Sequence, residues 1–257
     1  MVSPPYPKLQ ILPKTARFFQ SLGLSTTLID RLSQLGLSTP TSVQCKAIPS
    51  ILMGHDVIIA AETGGGKTLA FLLPIIEHFR RKALPTSAMR FPAALVLTTS
   101  QELVRQVAVV LHQIDPELAR QALSLSSSRQ TLGQQGGLAC PLVVATPGAL
   151  LRASKPRDFA FTQLVVVDEA DMLLSGGFEK ETKQILATIR NQPLLKSELN
   201  RWEDADPRDR QVQDEDVETE HTQTVFSAIS SSLYYFGWGL TTNAYSHLLI
   251  TQFSLTS

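Results

Sequence analysis

Ala60-Ala61-Glu62-Thr63-Gly64-Gly65-Gly66-Lys67-Thr68 follows the short apolar run Asp56-Val57-Ile58-Ile59 and precedes Leu69-Ala70-Phe71-Leu72-Leu73-Pro74. The run before it reads as a buried strand, and the one after it opens like a helix. Strand, glycine-rich turn, Gly-Lys-Thr and helix is the layout of a phosphate-binding P-loop. Successive glycines let the backbone curl tightly with its N–H groups turned inward, where side chains would hold a phosphate away. The helix starting near Gly66 adds free N–H donors and a positive dipole end. Lys67 would reach the β- and γ-phosphates of a nucleotide, and the Thr68 hydroxyl would ligate Mg²⁺. The general pattern has glycine where this chain has Ala61. A glycine-rich loop that binds nothing would not need Lys-Thr at the helix start.

From Ala61 onward, apolar strands alternate with helical segments. The candidate strands are Ala94–Thr98, Ala122–Ser126, Leu142–Thr146, Leu164–Asp168 and Thr224–Ser227, and helices are expected after Gly66, Ser100 and Gly177. Strands without polar alternation, separated by helices, predict an α/β fold: a mostly parallel sheet with helices on both faces. Ligands of such sheets bind at the carboxyl ends of the strands. One of those ends, after Leu164-Val165-Val166-Val167, is Asp168-Glu169-Ala170-Asp171. An acidic residue ending a buried strand in a P-loop protein holds Mg²⁺, which makes Asp168 the candidate metal carboxylate. Glu169 beside it is the candidate base for an attacking water. The plainer alternative is that the two carboxylates cap the next helix.

Upstream, Phe18, Phe19, Leu22 and Leu24 lead into Leu28, Ile29, Leu32 and Leu35 at helical spacing, predicting a helix that ends at Gly36. Pro40-Thr41 restarts a helix with Val43, Ala47, Ile48, Ile51 and Leu52 on its apolar face. Gln44, early on that helix, would by itself be a solvated residue.

Together these motifs resemble the first RecA-like domain of the DEAD-box ATP-dependent RNA helicases. Ala61 to Thr68 is similar to that family's own P-loop, which begins with alanine, and Asp168-Glu169-Ala170-Asp171 to its name-giving motif. Gly36-Leu37-Ser38-Thr39-Pro40-Thr41-Ser42-Val43-Gln44 resembles its Q motif, with Phe19 seventeen residues before Gly36. The resemblance implies a RecA-like P-loop NTPase domain over residues 18–228, with Q motif 36–44, P-loop 61–68 and acidic motif 168–171. It implies ATP and Mg²⁺, with catalytic residues Lys67, Asp168 and Glu169. Nucleotide contacts would come from Phe19, Gln44, Ala61, Glu62, Thr63, Gly64, Gly65, Gly66, Lys67, Thr68 and Asp171, and Mg²⁺ contacts from Thr68 and Asp168. Thr146, Pro147, Gly148 and Gln101 would face the RNA backbone without sequence preference, and Ser227-Ala228 would couple hydrolysis to unwinding.

The chain also departs from that pattern. Pro-Thr-Arg-Glu-Leu of the family stands here as Thr99-Ser100-Gln101-Glu102-Leu103, and Thr-Pro-Gly-Arg as Thr146-Pro147-Gly148-Ala149. Each loses its arginine. The expected glycine pair is Ser126-Ser127, and Ile229 replaces threonine after Ser227-Ala228. Losing two guanidinium groups weakens phosphate-driven affinity, so RNA binding is expected to persist but weakly. The family's second RecA-like domain, with its arginine finger, is missing, so a truncated form that hydrolyses ATP poorly and does not unwind duplexes is expected. Such fingers contribute about 10³ to 10⁵ in rate. Two other readings stay open. One is a non-catalytic ATP- or RNA-binding module that regulates full-length helicases or binds a protein cofactor. The other is a P-loop motor acting on DNA.

Composition frames these motifs. The 257 residues suffice for one large domain or two small ones. Formal net charge is zero, yet residues 196–221 hold ten acidic groups against four basic ones. The rest of the chain is therefore mildly basic, which suits a polyanion. The acidic stretch, about residues 192–222, reads as a solvated loop. Cys45 and Cys140 give neither a disulfide framework nor a metal pattern and read as buried thiols of a reducing compartment. Residues 1–17 read as an irregular lead-in. The first 29 residues lack acidic groups but carry Lys8, Lys14 and Arg17, a hint of a mitochondrial transit segment beside the nuclear, nucleolar or cytoplasmic alternatives. Residues 229–257 contain no charged Asp, Glu, Lys or Arg and hold six aromatics, an uncharged tail unlike the family. Polar residues interrupt it short of a membrane span, so no stable membrane insertion is expected.

Overall fold

Runs of Val, Ile, Leu and Ala can be buried on both faces only if layers cover both sides of the sheet. The computed structural model describes residues 18–82, 92–125, 140–191, 222–229 and 248–252. Seven parallel strands there form one sheet, in the spatial order β3-β4-β2-β5-β6-β1-β7. They are β1 (Val57–Ala61), β2 (Ala94–Leu97), β3 (Leu123–Leu125), β4 (Leu142–Ala145), β5 (Leu164–Asp168), β6 (Gln223–Ala228) and β7 (Leu248–Gln252). Successive side chains of a strand point to opposite faces, and the core divides accordingly. Val57, Ile59, Val96, Val144 and Val166 pack on one side, while Ile58, Leu95, Leu97, Val165 and Val167 pack on the other.

The first side is covered by α1 (Thr26–Gln34), α2 (Ser42–Leu52), α3 (Lys67–Lys82), α4 (Gln101–Ile114) and α5 (Pro116–Gln121). The second is covered by α6 (Pro147–Ala153), α7 (Ala170–Ser175) and α8 (Glu179–Arg190). The α/β fold expected from the sequence is therefore present, with helices on both faces. Removing a side chain such as Val96 or Leu95 from water contributes about 1.5–3 kcal/mol each, so a polar substitution in either layer would cost stability of at least that order.

Three details differ from the sequence reading. The helix expected to run from Phe18 to Leu35 is broken: a short 3₁₀ turn, Phe19–Leu22, ends at Gly23 with φ 84°, and α1 begins only at Thr26. Glycine tolerates that left-handed turn where other residues do not. The break is held by the buried Glu77 of α3, whose Oε2 accepts hydrogen bonds from Ser25 N (2.9 Å) and Ser25 Oγ (2.9 Å). Next, Thr146 leaves its strand to become the N-cap residue of α6. Finally, Leu248–Gln252, inside the stretch set apart by its composition, forms the outermost strand, in register from Val57↔Leu248 to Ala61↔Gln252. The lead-in 1–17, the Ser126-Ser127 pair and residues 192–221 of the acidic stretch lie outside the described residues. No described helix is long and apolar enough to cross a membrane.

Candidate functional site

The carboxyl ends of β1, β2, β4, β5 and β6 deliver the sequence-predicted residues to one edge of the sheet. From β1 the backbone turns at Glu62, where Gly65 N–H donates to Glu62 O (3.1 Å), and enters α3 at Lys67. Gly64 (φ 80°) and Gly66 (φ 86°) hold left-handed conformations that leave the loop's inner side to main-chain groups. Lys67 Nζ lies on the loop's own carbonyls, donating to Ala61 O (2.5 Å) and Glu62 O (2.9 Å). Burial lowers its pKa, and the nearby carboxylates of Asp168, Asp171 and Glu169 pull it back up. The ammonium and the acidic motif therefore share one electrostatic neighbourhood.

Asp168 ends β5 and is buried. Burial raises its carboxyl pKa. The hydroxyl of Ser227, its register partner on β6, and the Glu169 N–H, which donates to Asp168 Oδ1 (3.1 Å), oppose that rise, as does the Lys67 charge. Ser227 Oγ is fully buried, yet within ordinary hydrogen-bond limits it has no partner among the described residues. It is near enough to Asp168 to favour the charged carboxylate without forming a regular bond. An unsatisfied buried hydroxyl costs about 1–3 kcal/mol, which marks the spot as one shaped for more than packing.

Glu169 has φ 52°, a left-handed conformation unmatched by any other non-glycine among the described residues. Strain of this kind gathers at functional sites. Its Oε2 accepts a hydrogen bond from Thr99 Oγ1 on the loop after β2. Asp171, in the first turn of α7, accepts from Met172 N–H through Oδ1 (3.2 Å).

Gln44 is buried rather than solvated. Thr41 and Gln44 form a reciprocal capping box at the start of α2: Thr41 N–H donates to Gln44 Oε1 (2.9 Å) and Gln44 N–H to Thr41 Oγ1 (3.4 Å). The same side chains reach the P-loop. Gln44 Nε2 donates to Gly66 O (3.1 Å), and Thr41 Oγ1 donates to Gly65 O (3.1 Å). The Thr-x-x-Gln spacing was visible in the sequence as a capping signal, but Thr41's role was not drawn from it. Phe19 packs in the core at 3% exposure, while neighbouring Phe18 is exposed.

The remaining predicted residues flank this centre. Thr146, Pro147 and Gly148 open α6, and Arg152, one turn on, lies over Gly148, where its Nη1 would be 3.2 Å from an added Cβ. Gln101 is exposed at the start of α4, whose N-cap Ser100 accepts from Leu103 N–H (3.2 Å). Ser227 and Ala228 end β6 beside Asp168, and Ile229 after them is exposed. Thr99 escaped the sequence reading. Its only signal is that it lies two residues beyond Leu97, as Glu169 does beyond Leu97's register partner Val167.

Among the described residues no group of three His, Cys, Asp or Glu side chains could hold a metal. Mg²⁺ asks for less, since it is commonly held by one or two carboxylates together with phosphate oxygens and water. Thr68 at the start of α3 and Asp168 at the end of β5 supply a hydroxyl and a carboxylate of that kind. The glycine loop folds back tightly on itself at Gly65, where a Cβ would sit 3.1 Å from Glu62 O and 3.2 Å from Ala61 Cβ.

Residues 41–210 match the family of DEAD/DEAH box helicases. Among curated proteins, the chain is 35% identical over 231 residues to the ATP-dependent RNA helicase mak5 of Aspergillus terreus, covering 82% of this chain and 28% of that protein. It is 36% identical over 187 residues to the ATP-dependent RNA helicase DRS1 of Lodderomyces elongisporus, covering 69% of this chain and 26% of that one. The chain thus spans about a quarter of the length of these relatives. Among solved structures, the DEAD-box helicase Mss116 bound to single-stranded RNA and UDP-BeF superposes with a TM-score of 0.71 at 22% identity, covering 92% of this chain and 45% of that one.

Proposed function

The chain belongs to the DEAD/DEAH box helicase family, and from that premise we propose that it binds ATP with Mg²⁺ and couples ATP hydrolysis to remodelling of RNA. The observation that carries this reading is the meeting of Lys67, on the glycine loop, with Asp168, Glu169 and Asp171 at one edge of the sheet. Main-chain N–H groups from Ala61 to Thr68, Glu62 and Thr63 included, surround the phosphates, and Lys67 leaves its loop carbonyls to meet the β- and γ-phosphates. Thr68 and Asp168 would hold Mg²⁺, which when bound would neutralise charge on the phosphate oxygens. Glu169 would orient a water and take its proton as the water oxygen bonds to the γ-phosphorus and the bond from that phosphorus to the β–γ bridging oxygen breaks, releasing ADP and phosphate. Gln44, already bonded to the loop, reads the adenine edge. Phe19, buried at the margin of the core, is the aromatic we assign to the adenine base.

For RNA, we assign backbone contacts to Thr146, Pro147, Gly148 and Gln101, and coupling to Ser227 and Ala228. Gln101 and Ala149 stand where the family pattern has arginine, so the proposed RNA contact rests mainly on hydroxyls and main-chain N–H groups. Fewer cations on phosphate means weaker binding and a shallower dependence on salt. Strand separation needs a second RecA-like domain closing over the RNA, and its arginine would add about 10³ to 10⁵ in rate.

The test is phosphate release from ATP with and without single-stranded RNA, beside Glu169→Gln. RNA-stimulated release that disappears in the variant is the expected result. Release equal in both proteins would remove Glu169 from the chemistry. No release from either would leave a nucleotide-binding module.

A further inference from the structure

We propose that Thr99 is a positioning residue for Glu169, holding the carboxylate in the orientation from which it takes a proton. The inference deepens the reading of Glu169 as the base and rests on it.

β2 and β5 are parallel neighbours, and Leu97↔Val167 is their last register pair. Thr99 and Glu169 each lie two residues beyond that pair, so the two chains leave the sheet side by side. The left-handed backbone at Glu169 (φ 52°) fixes where its side chain starts. It does not fix where the carboxylate ends, because three side-chain torsions follow. Thr99 Oγ1 supplies that restraint by donating to Oε2. Oε1 accepts no hydrogen bond among the described residues, so the restrained group keeps one oxygen with lone pairs for a water.

The neighbouring hydroxyls are committed elsewhere. Thr98 Oγ1 donates to Ser100 O (3.2 Å), and Ser100 Oγ accepts from Leu103 N–H as the cap of α4. Of the run Thr98-Thr99-Ser100, only the middle residue addresses the acidic motif. Threonine is β-branched and has few side-chain rotamers, so its hydroxyl is a stiffer donor than a longer side chain would be. The helicase pattern noted above has proline at this place, which carries no hydroxyl, so the restraint comes with this chain's own departure from it.

Without the restraint, the carboxylate would spend less time in the productive orientation, which lowers turnover and leaves nucleotide binding alone. A positioning hydrogen bond of ordinary strength corresponds to about a five- to tenfold change in rate. The experiment measures kcat and KM for ATP in the wild type, Thr99→Val, Thr99→Ser, Glu169→Gln and the Thr99→Val/Glu169→Gln double variant, with Mg²⁺ and single-stranded RNA. Thermal unfolding midpoints serve as the folding control. We expect kcat to fall about five- to tenfold in Thr99→Val with KM and midpoint unchanged, to return in Thr99→Ser, and not to fall further when Thr99→Val is added to Glu169→Gln. If Glu169→Gln abolishes turnover while Thr99→Val matches wild type, the proposal fails and the base assignment stands. If Thr99→Val lowers the midpoint or raises KM and serine does not restore kcat, Thr99 is structural and the proposal fails. If Glu169→Gln has no effect on turnover, the base assignment falls and the proposal with it.

Discussion

Replacing Gly66 by alanine should disturb both the P-loop and the helix that braces it. At φ 86° an alanine sits in the left-handed region, which costs about 1–2 kcal/mol. The added Cβ would also lie 2.4 Å from Gln44 Nε2 and 3.1 Å from Thr41 Oγ1. Gln44 is flexible enough to move, but in moving it gives up its bond to Gly66 O and its place in the capping box of α2. Two hydrogen bonds at about 1 kcal/mol each bring the total to about 3–4 kcal/mol. Gly64→Ala isolates the backbone part. Its φ is 80°, but an added Cβ would meet nothing within 4 Å, so only the strain of about 1–2 kcal/mol remains. In urea unfolding, with a slope of about 2–3 kcal/mol per molar, Gly66→Ala should lower the midpoint by about 1–2 M and Gly64→Ala by about half as much. Equal shifts for the two variants would refute the idea that Gln44 is packed against the loop.

Acid should weaken the tie between the N-terminal turn and α3. Burial pushes the Glu77 carboxyl up, but hydrogen bonds from Ser25 N, from Arg81 Nε and from Ser25 Oγ outweigh it and hold the pKa below the ordinary value of about 4.3. A carboxylate lowered on folding stabilises above its unfolded value, and that contribution is lost as pH falls through the folded one. Glu77→Gln should therefore be less stable than wild type at pH 7, with the gap closing below pH 4 in urea titrations. Cys140 is buried, and desolvation pushes its thiol up to about 11. At pH 8 a thiol–disulfide reagent should label it far more slowly in native protein than in urea, and equal rates would mean the thiol is accessible.

Much of the sheet was legible because a strand buried on both faces writes itself as an unbroken apolar run. Leu164–Asp168 emerges with the bounds read from sequence, and the other internal strands shift by about a residue at their ends. What could not be read is what long-range contacts decide. Phe18 to Leu35 has continuous helical spacing, yet Gly23 ends the first turn and a glutamate fifty-two residues from Ser25 holds the break. Gln44 looks like a solvated residue until the P-loop folds over it. β7 sits in a segment whose composition sets it apart, and its pairing with β1 depends on an edge that no local pattern announces. Among the candidate site residues, the charged groups were legible from motifs alone. The hydroxyls that arrange them, Thr41 and Thr99, depend on strand register and on caps, so they emerge only in three dimensions.

The central claim is that the glycine loop and Lys67 hold the phosphates of a nucleotide. Titrating the protein with a fluorescent ATP analogue in the presence of Mg²⁺, beside Lys67→Ala, tests it most directly. The account predicts saturable binding that unlabelled ATP displaces. It also predicts loss of that binding in Lys67→Ala at an unchanged thermal midpoint, because the bonds from Lys67 to Ala61 O and Glu62 O are partly exposed and add little to the core. Equal binding by both proteins, or none by the wild type, would contradict it.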